Sequence, residues 1–340
     1  MGSKTATSET TATWLQRLQP YCRRAALWGV VAALGVTAVG LGVLRLQRQV
    51  EQRYAHTGLP PRVVFREQPA WMNEALATRL LSIAQPVAAS SVFDPAVLRD
   101  IHTRLLSDPF SRRWVREVRA VRRVYGFQPG DTIEIDAAFR TPAAVVRRAG
   151  AFYLVDGEGV LLEDIAPEQV TRVLLAPDGR LVLRVIDGVT RPPPEPGQSV
   201  PADLSAGLAL AKLLHDRTFA RDIVKVDVSN FNGRQDPTAA HLRLVTRHGT
   251  EIRWGRPLGT PHNFGEVDDA RKLLYLDRIH AEFGRPDARR PWVDLRFDRP
   301  LWPRLDDTPA DATPPNTAAT GAAGTAGQPP LELTAVSAAR

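Results

Sequence analysis

Cysteine is nearly missing: Cys22 is the one thiol in 340 residues. That excludes an intramolecular disulfide and the usual multi-cysteine zinc site; Cys22, just before an apolar run, reads as a bystander rather than a lipidation or bridging site. Lysine is scarce too, limited to Lys4, Lys212, Lys225 and Lys272. The net charge of +7 and pI near 10 invite a nucleic-acid reading. The arginines, however, are dispersed among 37 acidic residues, and no dense polybasic run marks a lipid-headgroup patch. G-x-S-x-G, H-E-x-x-H, Walker A and G-x-G-x-x-G are all absent. No catalytic residue, metal ligand, cofactor, small-molecule substrate or nucleic-acid partner is therefore expected. His241, His248 and His262 lie close in sequence, with Asp268-Asp269 following. The odd separation of His241 and His248 sends them to opposite faces of a strand, so they read as surface or loop histidines. Asp156-Gly157-Glu158-Gly159 lacks the further ligands of a calcium loop and reads as a hairpin turn. Arg119, Arg122 and Arg123 read as a solvated strand face.

What is present begins with an uncharged run, Ala25 to Leu44. At about 1.5 Å per residue it spans about 30 Å, the hydrocarbon thickness of a bilayer. Arg23 and Arg24 close one end, Arg45 and Arg48 the other, and Trp28 suits a headgroup boundary. A cleaved signal peptide is the rival reading. Its apolar core is usually only about 7–15 residues, and Val36-Thr37-Ala38 is a poor cleavage site, so an uncleaved anchor is expected. Flanking cations are nearly balanced and do not set the orientation. Gly29, Gly35, Gly40 and Gly42 permit close helix approach, but none are four apart.

Beyond the anchor, residues 45–60 continue as helix and break at Gly58, Pro60 and Pro61. Arg62–Arg66 is a strand candidate. Residues 71–84 carry apolar side chains at helical spacing, and Asp94-Pro95 opens a second helix with the stripe Val97, Leu98, Ile101, Leu105. Trp114–Tyr125 and Thr132–Phe139 alternate as strands. The order β-α-α-β-β makes a small α+β unit. From Ala143 onward AAVVRR, AFYLVD, VLLED, VTRVLLA and RLVLRVI read as short strands punctuated by glycine turns. Residues 191–201 (RPPPEPGQSVP) form a proline-rich surface insert, and Asp203–His215 a helix. IVKVDVSN, HLRLVTR and TEIRW form a meander, Glu266–Phe283 a helix, and Trp292–Phe297 a strand with Val293, Leu295 and Phe297 on one face. Beyond Pro303, an Ala/Thr/Pro/Gly-rich tail has little to bury and is expected to be disordered. A final strand leaves one row of backbone groups for a partner strand, with Trp292 and Trp302 as aromatic anchors; the alternative is an ordinary core strand.

In this order, particular residues resemble the FtsQ/DivIB family of bacterial cell-division proteins. Trp114, Val115, Val118, Val121, Arg123, Pro129, Ile133, Ile135, Arg140, Pro142, Ala144, Val155, Asp156 and Gly159 match the family's junction pattern. Gly255, Lys272, Leu273, Leu276, Asp294, Leu295, Arg296 and Phe297 match its closing pattern. Phe139 stands where the family usually has Glu, Tyr125-Gly126-Phe127 precedes the proline, and the insert and tail are unusual. The resemblance covers about residues 25–300. It implies a cytoplasmic segment (1–24), a transmembrane helix (25–44), a linker (45–60), a POTRA-like domain (61–141), a β domain (142–302) and a tail (303–340). The fold class is thus α+β, a single transmembrane helix followed by a POTRA-like domain and a mainly antiparallel β domain with flanking helices. The resemblance further implies an inner-membrane scaffold with periplasmic domains, found at the division site, binding FtsB/FtsL-like partners and other division proteins without turnover. It places the partner site at Trp292, Val293, Asp294, Leu295, Arg296, Phe297 and on to Pro300, with Trp302 and Gly255 alongside and the Glu266–Phe283 helix as support. Two other readings stand beside it: a POTRA-bearing envelope-assembly or transport component, and a membrane-tethered hydrolase using the histidines.

Overall fold

A computed structural model describes residues 28–46, 48–49, 61–86, 95–124, 132–176, 178–260 and 265–303. Expectations about Cys22, residues 1–27, the linker to Pro60, the Asp94 cap, Tyr125–Pro129, His262 and the tail beyond Pro303 lie outside them. Helix α1, Trp28–Leu46, is long and apolar enough to cross a membrane. It carries Trp28–Leu44 of the uncharged run, and its leucines and valines are exposed.

Contacts divide the chain into two units: Met1–Arg66 with Ala84–Thr103 and Ala120–Asp136, and Glu67–Ile83 with Arg104–Arg119 and Ala137–Arg340. Element order follows the expected β-α-α-β-β run: β1 (Arg62–Phe65), α2 (Glu74–Ala84), α3 (Pro95–Ser107), a short α4 (Ser111–Trp114), β2 (Val115–Val124) and β3 (Thr132–Phe139). The three strands make one sheet in the order β1-β3-β2. In the first unit β1 runs parallel to β3, with Val63 against Ile133 and Phe65 against Ile135. Val63, Ile133 and Ile135 are buried, as are Ala84, Val97 and Ile101. Arg66 pairs with Asp136 at 2.9 Å and Arg122 with Glu134 at 3.2 Å.

Trp114, expected in a strand, instead ends α4. The Asp108 carboxylate accepts the amides of Phe110 and Ser111 at 3.0 and 2.9 Å, and the buried Ser111 hydroxyl donates to the Leu105 carbonyl at 2.6 Å. A side chain that satisfies two otherwise orphaned amides favours a helical turn at this point over an extended chain.

The second unit is built on an eight-stranded mixed sheet, β11-β10-β9-β8-β7-β4-β5-β6. Its strands are β4 (Pro142–Arg148), β5 (Ala151–Asp156), β6 (Leu161–Ile165), β7 (Arg184–Asp187), β8 (Ile223–Asp227), β9 (Leu242–Thr246), β10 (Glu251–Gly255) and β11 (Trp292–Asp294). Hairpin-linked neighbours pair antiparallel, as at β4–β5, β5–β6 and β9–β10. The pairs β4–β7, β7–β8 and β10–β11 are parallel. A parallel pair needs a crossover; for β7–β8 and β10–β11 it includes α6 (Ala202–Leu213) and α7 (Asp269–Phe283). Both helices cover one face. Ala144, Val146, Ile186, Val226, Leu244, Ile252, Trp254 and Val293 meet Leu204 and Leu208 of α6 and Leu273, Leu276 and Ile279 of α7 in a single core. Each such aliphatic side chain contributes about 1.5–3 kcal/mol on burial.

Strand alternation sends the intervening residues to the other face, where charges pair from strand to strand. Asp187 on β7 holds Arg147 of β4 and Lys225 of β8. Arg243 on β9 reaches Asp227 at 3.0 Å and Glu251 at 3.3 Å.

Two expectations are corrected. VTRVLLA is not a strand: Val170–Leu174 forms a short helix, α5, started by Pro167 at the first position of a preceding 3-10 turn. Val170 and Leu174, four apart, are its buried residues, a helical spacing that outweighs β-branching. Nor is the proline-rich run merely a surface insert. Pro193 and Pro194 are buried, the Pro194 carbonyl accepts the Leu161 amide of edge strand β6 at 2.9 Å, and Glu195 holds Arg113 and Arg112.

Several residues of the junction pattern form one structural knot. Arg140 donates from its backbone to the Trp114 carbonyl at 2.8 Å and pairs with buried Asp156 at 2.7 Å. The Asp156 carboxylate also accepts the amides of Glu158 and Val160, closing the turn after β5. Gly159 sits at φ +86, and a Cβ there would collide with Val200. Asp156-Gly157-Glu158-Gly159 is accordingly a turn whose first carboxylate is already occupied.

Candidate partner-binding edge

Strand β11 is the last in sequence among the described residues and the outer strand of the sheet. It pairs parallel with β10, Glu251 against Trp292 and Arg253 against Asp294. Val293 and Leu295 are fully buried in the core, whereas Phe297 is 42% exposed. The strict alternation of Trp292–Phe297 thus does not keep all three apolar residues on one face. The strand ends at Asp294, and the chain bends at 296–299.

The bend follows from Asp294. Its buried carboxylate accepts the Arg296 amide at 3.1 Å and the Arg296 guanidinium at 3.0 and 2.8 Å, so Arg296 curls back on the residue two before it. The hydrogen bond and charge of Asp294 hold the Arg296 guanidinium above its ordinary pKa against the cost of burial. Arg253 stacks over the Trp292 ring at 4.6 Å, an arrangement that fixes a half-exposed indole at the rim of the sheet.

Gly255 ends β10 at φ +105, and a Cβ there would run into the Glu266 carboxylate and Arg296. That carboxylate accepts the Arg256 amide at 3.0 Å and pairs with Lys272 at 3.2 Å. Lys272 is buried, its ammonium 5.4 Å from the Trp254 ring. Gly255 and Lys272 therefore frame the edge from within, through Glu266, and do not offer a contact surface. The sequence pattern placed Glu266 at the start of the supporting helix; it instead precedes that helix, which begins at Asp269, and its bonds to Arg256 and Lys272 carried no sequence signal. Helix α7 is capped by Asp268, which accepts the Arg271 amide at 2.6 Å, and ends at Gly284 in the left-handed region.

After the bend the chain returns. Leu301 forms an isolated antiparallel bridge with Asp294, with amide-to-carbonyl distances of 2.8 and 2.9 Å. The Asp298 carbonyl accepts the Tyr275 hydroxyl and an Arg271 N–H. Trp302 packs edge-on against Phe283, centroids 6.4 Å apart. The predicted set thus divides three ways. Val293, Asp294 and Leu295 are buried, Gly255 and Arg296 shape the turn, and Trp292, Phe297 and Trp302 lie toward the surface beside Leu301.

Two of the three histidines, His241 and His248, are described. His241 is half-buried, and burial together with Arg256 and Arg296 lowers its pKa despite Glu266. His248 is exposed in a turn. Among the described residues, no group of three or more His, Cys, Asp or Glu side chains is placed to hold a metal ion. A separate groove of about 1070 Å³ passes Trp71, Phe110 and Trp114, the two indoles stacked at 5.9 Å. In comparisons with known proteins, no family model and no curated protein matches the chain.

Proposed function

We propose that this chain is a membrane-anchored binding scaffold of the FtsQ/DivIB type. In this reading α1 is the anchor, residues 61–141 are a POTRA-like domain, and the β domain docks FtsB/FtsL-like partners along β11. The observation that carries it is the position of β11, an outermost strand of the sheet, with exposed Phe297 and Leu301 beside it. A partner strand added there gains backbone hydrogen bonds from the edge and apolar contact from its flank. The junction and closing residues of the resemblance support the reading as well, because they build the Arg140–Asp156 knot and the Gly255–Glu266–Lys272 frame rather than lying scattered on the surface.

The test is the position of a fluorescent fusion in dividing cells, compared with Trp292→Glu and Phe297→Glu together. Leu295 is left intact, because its burial makes it a folding residue. Midcell signal, with pull-down of FtsB/FtsL-like partners lost in the variant, is expected. A uniform membrane signal with no division defect on depletion refutes the assignment and favours an envelope-assembly component.

A further inference from the structure

The edge of β11 is not empty. In a parallel pair, successive residues turn their backbone groups alternately toward and away from the neighbour. Pro291 and Leu295 face β10, through bonds to Glu251 and Arg253. Asp294 faces outward, and both its groups are taken by Leu301. By the same alternation Trp292 faces outward too. Extending the Asp294↔Leu301 bridge antiparallel by two residues sets Trp292 opposite Pro303. Proline has no N–H, so the returning chain cannot complete the pair at Trp292.

We infer that Asp298–Pro303 is a built-in, deliberately incomplete stand-in for the partner strand, and that a partner binds β11 by taking its place. This rests on the reading of β11 as the docking edge. The resident segment describes its replacement. The partner is an extended strand running antiparallel to β11. It carries an apolar residue where Leu301 sits and an aromatic one for the Trp302 position against Phe283. Its residue facing Trp292 is not proline. Such a strand makes the two backbone bonds that Leu301 makes with Asp294 and adds those at Trp292, while the resident has the advantage of being tethered and of the Asp298 carbonyl held by Tyr275 and Arg271. A short tether corresponds to an effective concentration of about millimolar, so the segment reduces the competent fraction and weakens partner binding in proportion.

The probe is a fluorescein-labelled peptide of sequence Asp298–Pro303, titrated by anisotropy into the full chain in detergent micelles. The comparison is the full chain with residues 298–303 replaced by Gly-Ser repeats. Saturable binding to the replaced chain, at least tenfold weaker binding to the unaltered one, and tighter binding of a peptide carrying Pro303→Val are expected. Equal affinity for both chains, or no binding to a replaced chain that melts like the unaltered one, overturns the inference; so does self-association of the replaced chain instead of peptide capture. Should the replaced chain not fold, amide exchange on the unaltered chain decides. The Asp294 and Leu301 amides are expected to exchange together and well before those of β10, and protection equal to that of β10 overturns the inference. A negative peptide result beside midcell localisation that depends on Trp292 and Phe297 refutes the stand-in alone and leaves the docking edge in place.

Discussion

Replacing Lys272 with Met removes an ammonium that is almost wholly out of water and leaves the Glu266 carboxylate behind. Removing one member of a fully buried pair costs about 3–5 kcal/mol. Glu266 is 19% exposed and keeps the Arg256 amide, so about 2–3 kcal/mol is expected here. Glu266→Gln strands the ammonium instead, with Asp269 at 4.0 Å and the Trp254 face as its remaining partners; about 3 kcal/mol is expected. The double variant Lys272→Met, Glu266→Gln leaves neither charge unpaired, and its loss is expected to stay near 2–3 kcal/mol rather than the sum. The resulting coupling is about 3 kcal/mol. Urea unfolding of the full chain in micelles, followed by tryptophan fluorescence and analysed by linear extrapolation, measures all four corners of the cycle. Additivity within about 0.5 kcal/mol refutes the claim that Glu266 holds Lys272 in place.

Gly255→Ala forces a Cβ toward Glu266 at positive φ and is expected to lower the melting temperature by several degrees, a loss of about 2–3 kcal/mol; an unchanged melting curve contradicts the geometry. Leu295→Glu buries a charge and is expected to unfold the second unit, whereas Phe297→Glu leaves circular dichroism melting unchanged. Burial pushes the Asp187 carboxyl up, but the hydrogen bond and charge of Arg147, with Lys225, hold it below its ordinary value. Its folded pKa thus lies below its unfolded one. The stability it supplies is fully present above about pH 4 and lost as pH falls through the folded value. Asp187→Asn is expected to flatten the acid side of the melting-temperature profile, and an unchanged acid limb refutes this.

Much of this fold was legible because periodicity reports burial directly. The stripe Leu273, Leu276, Ile279 gave α7, and alternation with a glycine turn gave β9 and β10. The apolar run gave α1 because twenty residues without charge have few soluble uses. What was not legible depends on contacts distant in sequence. Nothing in VTRVLL says that Val170 and Leu174 share a buried side except their spacing, which the β-branched composition masked. The role of Pro193 and Pro194 follows from β6 lying beside them after a fold-back of some thirty residues. At the site, the residue types of Trp292–Phe297 announced a strand but not its end, because the end is set by Arg296 folding onto Asp294. Leu301 carried no signal beyond the prolines around it.

The hydrogen bond from Leu161 to Pro194 has a consequence for how many molecules one chain can join. An open sheet has two sides on which it can grow, and a subunit able to grow on both propagates without limit. Here a carbonyl from a buried proline run occupies the β6 side at Leu161, fastened through Glu195 to Arg112 and Arg113. On the proposed reading exchange then belongs to the β11 side, so the sheet ends a chain of paired strands wherever it joins one, and two copies meeting through β11 make a closed pair rather than a fibre.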